Sequence, residues 1–191
     1  MTGIVLSGGE NRRMGKEKAF LMLDEKPMIG HVIRTLRSIA DAIIIVTRSP
    51  ELYIMYGAVV VTDLFDDRGP LTGIYSGLAS SHDEYNIVVA CDMPFLNPRL
   101  LAYMYGLAPG YDVVVPTIEG AVEPLHAVYR RSLLPLLEKR IHQDDRQIRG
   151  IYPDVRVRYV TGEEIDQFDP KRRSFININT PEEYKEASCS D

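Results

Sequence analysis

The sequence predicts an α/β fold, a mainly parallel sheet with helices on both faces, and three observations carry that expectation. Short runs rich in Val and Ile recur at 3–6, 42–47, 58–62, 86–90 and 112–115. They are continuously apolar rather than alternating, the pattern of strands covered on both faces. Between them lie amphipathic segments of helical length at 28–39, 71–80 and 99–107, each with a proline (Pro27, Pro70 or Pro98) at its start. Strand and helix in alternation build a sheet wound on both sides.

From about residue 111 the rhythm changes and the sheet becomes mixed. Residues 123–129 read as a strand, 132–141 as a helix, 155–160 as a strand and 174–178 as a last short strand. Thr180-Pro181-Glu182-Glu183 then opens a helix, with Thr180 as its cap. No internal repeat, low-complexity tract or long linker interrupts the chain. The expectation is a single domain over 1–191, with a nucleotide-binding half at 1–110 and an acceptor-side half at 111–191.

Composition narrows the function classes. The chain has 191 residues, 26% of them charged, and a net charge of −5. A general nucleic-acid binder needs a basic surface to displace counterions from phosphates, so any anion site here must be local. The two cysteines, Cys91 and Cys189, have no metal-ligand or disulfide spacing, and no apolar stretch approaches the ~20 residues of a membrane span. A soluble, cytoplasmic protein without membrane or nucleic-acid partners is expected. The four histidines share no spacing and receive no role.

Residues 5–20, VLSGGENRRMGKEKAF, are where chemistry is expected. In a doubly wound sheet, ligands settle at the carboxyl ends of the strands. Gly8 and Gly9 let the backbone turn sharply and bring its N–H groups to phosphate oxygens, while Arg12, Arg13, Lys16 and Lys18 crowd cations around the loop. Neither common phosphate motif fits. Gly9 and Gly15 enclose five residues where a Walker loop has four, Lys16 is followed by Glu17, and no GxGxxG follows the first run.

Leu6-Ser7-Gly8-Gly9, followed by Arg13-Met14-Gly15 and Lys18, resembles the LAGGxxxRMGxxK signature of small Rossmann-like nucleotidyltransferases, and specifically of the molybdenum cofactor guanylyltransferases, the MobA family. Four further blocks stand in the same order: Asp63 ahead of Gly69-Pro70-Leu71-Thr72-Gly73, Cys91-Asp92-Met93-Pro94-Phe95, Glu123-Pro124-Leu125-His126-Ala127-Val128-Tyr129-Arg130, and Asn177-Ile178-Asn179-Thr180-Pro181-Glu182. The resemblance spans nearly the whole chain. Ser7 stands where the family has Ala, Glu17 where Asp is common, and Val46-Thr47-Arg48-Ser49 offers no counterpart to the Asn often found near the base.

The resemblance implies transfer of GMP from GTP to the terminal phosphate of molybdopterin, with Mg2+ and release of pyrophosphate. It implies Arg13, Lys18 and Asp92 as catalytic residues and Asp92 as the Mg2+ ligand, with Asn179 as second candidate. Leu6, Ser7, Gly8, Gly9, Lys18, Asp63, Gly69, Pro70 and Asp92 would bind GTP, Asp63 through either guanine or ribose. Asn177 and Asn179 would face the acceptor, helped by Arg130 and Arg131, although the two asparagines also read as the approach to a capped helix. Gly8-Gly9 favours guanine over cytosine. Transient contacts with cofactor-assembly proteins are compatible with this reading. The alternatives are a relative using CTP, a cobamide precursor or a phosphorylated acid, and a GTP-binding adaptor without catalysis.

Overall fold

A computed structural model describes residues 1–8, 18–65, 69–145 and 147–189. Its strands are β1 (Thr2–Ser7), β2 (Met22–Leu23), β3 (Lys26–Pro27), β4 (Ala42–Thr47), β5 (Val59–Val61), β6 (Tyr85–Ala90), β7 (Val113–Ile118), β8 (Ala121–Val122), β9 (His126–Arg130) and β10 (Val157–Val160). Its helices are α1 (Met28–Arg37), α2 (Pro70–Ser80), α3 (Pro98–Gly106), α4 (Leu134–His142), α5 (Gly162–Asp166) and α6 (Pro181–Ser188). The main sheet runs β10-β7-β9-β6-β1-β4-β5, with β8 paired to β7; β2 and β3 form a separate hairpin. β4, β1, β6 and β5 are mutually parallel, and β9 is antiparallel to both its neighbours.

Both faces of the sheet are covered, which is why its strands are apolar throughout. All six β1 residues are buried. Val5 joins one core with Ile29, Val32 and Leu36 of α1 and Leu100 and Met104 of α3. Ile4 and Leu6 join the other, with Leu71, Ile74 and Leu78 of α2 and Leu137 and Ile141 of α4. Alternate side chains of a strand point to opposite faces, so a single run of three apolar residues feeds both cores. α2 lies very close to β1: a Cβ on Gly77 would meet Ile4 Cγ2 at 2.5 Å, and one on Gly73 would meet the Leu6 methyls at 3.4 Å.

The helices start where the sequence signals them. Asn97 Oδ1 accepts from the N–H groups of Arg99 (2.9 Å) and Leu100 (3.2 Å) ahead of Pro98. Thr180 Oγ1 accepts from the Glu183 N–H at 3.1 Å, with Pro181 in the first turn. Pro27 takes the cap position of α1.

Two expected elements are corrected. Residues 174–178 are not a strand: a 3-10 turn occupies Arg173–Phe175, because the Asp169 carboxylate accepts from the N–H groups of Arg173 (3.0 Å) and Ser174 (2.8 Å) and holds them curled. The chain beyond the turn crosses the end of β6, touching it through Ile178 N–H to Asp92 C=O at 2.9 Å. The strand expected from 123 begins only at His126, since Pro124 sits in a turn closed by His126 N–H to Glu123 C=O at 3.2 Å. The two-residue hairpin strands and β8 were not foreseen.

Candidate active site

β1 lies between β4 and β6 and is parallel to both, while the chain leaves it on one side and returns on the other. Such a reversal opens a crevice at the carboxyl ends of the central strands. Register places Leu6 beside Ala90 and Val46, so Ser7 and Gly8 emerge at the same edge as Cys91 and Asp92. Cys91 N–H donates to Leu6 C=O at 3.1 Å, extending the pairing to the brink of the crevice.

Three residues from distant parts of the sequence meet there. Lys18 Nζ donates to Asp92 Oδ2 at 2.6 Å and to Asn179 Oδ1 at 2.7 Å. Each is held by its own anchor. Lys18 opens a 3-10 turn whose next residue, Ala19, is buried, and Phe20 packs on Tyr53 with ring centroids 5.0 Å apart. Asp92 stands two residues beyond the end of β6. Asn179 follows the buried Ile178, and its N–H donates to Glu183 Oε2 at 2.5 Å. Tyr184 of the same helix stacks on Phe95 at 5.2 Å, closing α6 onto the segment that carries Asp92.

The second carboxylate oxygen, Asp92 Oδ1, is buried and has no hydrogen-bond partner among the described residues. An unsatisfied buried carboxylate oxygen is costly, and a hard cation satisfies it. No group of three His, Cys, Asp or Glu side chains able to hold a metal occurs among the described residues. A cation here would draw on Asp92 Oδ1, a neutral oxygen such as Asn179 Oδ1, and oxygens of substrate and water, the mixed shell that Mg2+ characteristically keeps. On these grounds the site fits Mg2+.

The surroundings are tuned by burial. Cys91 is half-buried beside Asp92, and burial, with the Asp92 charge adding to it, raises its thiol to about 11, so it stays protonated at neutral pH. Glu123 is pushed up by burial and, to a smaller extent, by the Asp92 charge, which puts a second carboxyl group within electrostatic reach of the site. Ser7 Oγ shares a 2.7 Å hydrogen bond with the buried Tyr53 hydroxyl, so the serine that replaces the family's alanine is satisfied inside the fold.

Asp63 stands apart from this trio. It follows β5, two strands from β1 along the same edge. Ser76 Oγ donates to its Oδ1 at 3.0 Å. Burial raises its carboxyl, partly opposed by the Ser76 hydrogen bond and by Arg48. Gly69 and Pro70 form the cap and first turn of α2, where Thr72 Oγ1 donates to Gly69 C=O at 2.8 Å. Asn177 is exposed and stands outside the trio. Gly9, Arg12, Arg13 and Lys16 lie outside the described residues.

Arg130 and Arg131 are not at this edge. Arg130 ends β9, opposite Tyr85 at the start of β6, and pairs with Glu84 at 2.6 Å. Arg131 N–H donates to Glu84 C=O. Because β9 runs antiparallel, its carboxyl end lies at the amino edge of the parallel strands. The expectation that these arginines line the acceptor side is overturned by that reversal. Sequence reasoning named Glu183 only in a helix start and Glu123 only in a family block and gave neither a role at the site, although Thr180-x-x-Glu183 was an available capping signal.

Comparison with known proteins adds to the geometry. A model of the MobA-like NTP transferase domain matches residues 3–157. A molybdenum cofactor guanylyltransferase of Desulfosudis oleivorans is 43% identical over 192 residues, covering 100% of this chain and 95% of its own. A probable molybdenum cofactor guanylyltransferase of Pelotomaculum thermopropionicum is 37% identical, covering 97% and 91%. The crystal structure of molybdopterin-guanine dinucleotide biosynthesis protein A from Archaeoglobus fulgidus is similar at a TM-score of 0.84 and 34% identity, over 98% of this chain and 96% of the other.

Proposed function

The chain belongs to the MobA-like NTP transferase family, and from that premise we propose that it is a molybdenum cofactor guanylyltransferase, moving GMP from GTP to the terminal phosphate of molybdopterin. The observation that carries the reading is the Lys18–Asp92–Asn179 trio at the carboxyl ends of β1 and β6, with one Asp92 oxygen left unpartnered.

In the transfer an oxygen of the acceptor phosphate attacks the α-phosphorus of GTP. A new P–O bond forms as the bond to the β-phosphate oxygen breaks, and pyrophosphate takes the electron pair. Both reactants are anions, so the barrier falls mainly by positioning and charge neutralisation. Lys18 supplies a mobile cation to the triphosphate. Arg13 is assigned the same task, and Leu6, Ser7, Gly8 and Gly9 bring main-chain groups to the nucleotide. Asp92, with Asn179 as second ligand, would hold Mg2+, which would supply charge neutralisation at the phosphate oxygens. Glu183 holds the Asn179 backbone and thereby its amide. Asp63, Gly69 and Pro70 line the nucleoside end, and residues 111–191 supply the acceptor side. Asn177 is the exposed neighbour on that side.

A cytoplasmic setting is part of the proposal. No helix among the described residues is long and apolar enough to cross a membrane. Transient contacts with molybdenum cofactor assembly proteins belong to the same reading. Pyrophosphate release from GTP with Mg2+ and molybdopterin tests the proposal. Asp92→Ala is expected to lower turnover by at least ~100-fold, the scale of losing one electrostatic stabiliser. Turnover within twofold of the parent would overturn the role of Asp92.

A further inference from the structure

β6 and β9 pair antiparallel, with Val89 opposite His126. The pairing runs one step past both strands, for Ala90 N–H donates to Leu125 C=O at 3.1 Å. Carried two residues further along each chain, the same register sets Asp92 across from Glu123. In a regular antiparallel pair such residues share a face, with Cβ atoms about 5 Å apart. The chain is gathered here into the turn at Pro124, and Glu123 is pinned at both main-chain groups. Its N–H donates to Pro116 C=O of β7 at 3.1 Å, and its C=O accepts from His126 N–H at 3.2 Å.

Both carboxylates are half-buried, and each has one oxygen engaged. Leu125 N–H donates to Glu123 Oε1 at 3.4 Å. Asp92 Oδ2 takes the Lys18 ammonium, while Oδ1 is buried without a hydrogen-bond partner among the described residues. After burial and the Leu125 hydrogen bond, the Asp92 charge is the next influence on Glu123, ahead of Arg149, whose Nη2 donates to Val122 C=O at 3.0 Å. Two carboxylates that face one another in a crevice repel, and a divalent cation between them turns that repulsion into attraction.

Mg2+ is commonly held through one or two carboxylates, with phosphate oxygens and water completing its shell. We propose that Glu123 is a second carboxylate of the cation site, facing Asp92 across the end of the β6–β9 pair and sharing the divalent ion with it. The family resemblance assigns that ion to Asp92 with Asn179 and gives Glu123 no part. Asp92 belongs to residues 1–110 and Glu123 to residues 111–191, so an ion held by both ties the nucleotide half to the acceptor half at the place where the two phosphates must meet. The inference deepens the guanylyl-transfer reading and rests on Asp92 as the ion's anchor.

The test is titration of the full chain with Mn2+, a paramagnetic substitute for Mg2+, without nucleotide or acceptor, the free ion being read by electron paramagnetic resonance. Glu123→Gln keeps an oxygen for the Leu125 N–H and removes the charge. It is expected to raise the Mn2+ Kd roughly tenfold, with Glu123→Asp falling between it and the parent and Asp92→Ala losing the site. The melting temperature of metal-free Glu123→Gln should not fall, because a like-charge contact is relieved. Parent affinity in Glu123→Gln, with the site lost in Asp92→Ala, would overturn the proposal and leave the role of Asp92 standing. Weaker binding together with a lower metal-free melting temperature would overturn it too, by assigning Glu123 to the turn alone. No Mn2+ binding by the parent, or parent affinity in both variants, would overturn the cation reading of Asp92 and this inference with it, while pyrophosphate release from GTP tests the transfer reading separately.

Discussion

His126 offers a prediction whose size follows from its surroundings. It lies on β9 opposite Val89, is fully buried, and both ring nitrogens lack a hydrogen-bond partner among the described residues. The Phe175 ring stands 4.6 Å away. Burial lowers its pKa from 6.5 to about 4, the nearby Asp169 charge opposing only part of that. The folded pKa is depressed, so between pH 6.5 and 4 the unfolded chain binds a proton that the folded chain refuses. Stability is undiminished above pH 6.5 and falls as the pH drops. With these two values the loss is about 2 kcal/mol at pH 5 and about 3 kcal/mol by pH 4. His126→Leu keeps the volume and removes the titration. Thermal melts of parent and variant from pH 8 to pH 4.5 should then diverge, the variant gaining roughly 4–8 °C on the parent by pH 5 relative to their separation at pH 8. Parallel curves over that range would refute the argument that His126 is folded in its neutral form.

Gly77→Ala should destabilise, although alanine is the better helix former by about 1 kcal/mol, because its Cβ would fall 2.5 Å from Ile4 Cγ2 and overpacking a core costs about 1–3 kcal/mol. Urea unfolding would register the sign; a higher midpoint in the variant would contradict the close approach of α2 to β1. Glu183→Ala releases the N–H of Asn179. The Mg2+ concentration for half-maximal activity should rise roughly tenfold, as when the support of a metal ligand is removed, with the preference for GTP unchanged. An unchanged Mg2+ requirement would show that Glu183 does not position a metal ligand.

Much of the fold was legible because burial on both faces writes a plain signal. β1, β4 and β6 are unbroken apolar runs since each contacts two cores. Proline and capping residues likewise fixed the starts of α2, α3 and α6. Residues 174–178 misled because Phe-Ile-Asn-Ile alternates like a strand, while the cause of its curl is Asp169, whose reach to the 173 and 174 amides leaves no periodicity. The β2–β3 hairpin turns through Asp24 and Glu25 at φ 44° and 65°, a conformation that usually advertises itself with Asn-Gly and here does not. The family blocks brought Lys18, Asp92 and Asn179 to notice as separate motifs. That one ammonium joins the other two across 74 and 161 residues of sequence is a product of topology. The misplacement of Arg130 has the same origin, for the direction of β9 cannot be read from its residues.

In the proposed function the crevice between β1 and β6 joins a guanine nucleotide to a phosphorylated acceptor through Asp92. The most direct measurement offers GTP, CTP, ATP and UTP together to the enzyme with Mg2+ and molybdopterin and weighs the product by mass spectrometry. One product is expected, the pterin guanine dinucleotide, formed with one pyrophosphate per turnover and lost in Asp92→Ala. A cytosine dinucleotide, or a guanine dinucleotide formed equally well by Asp92→Ala, would contradict it.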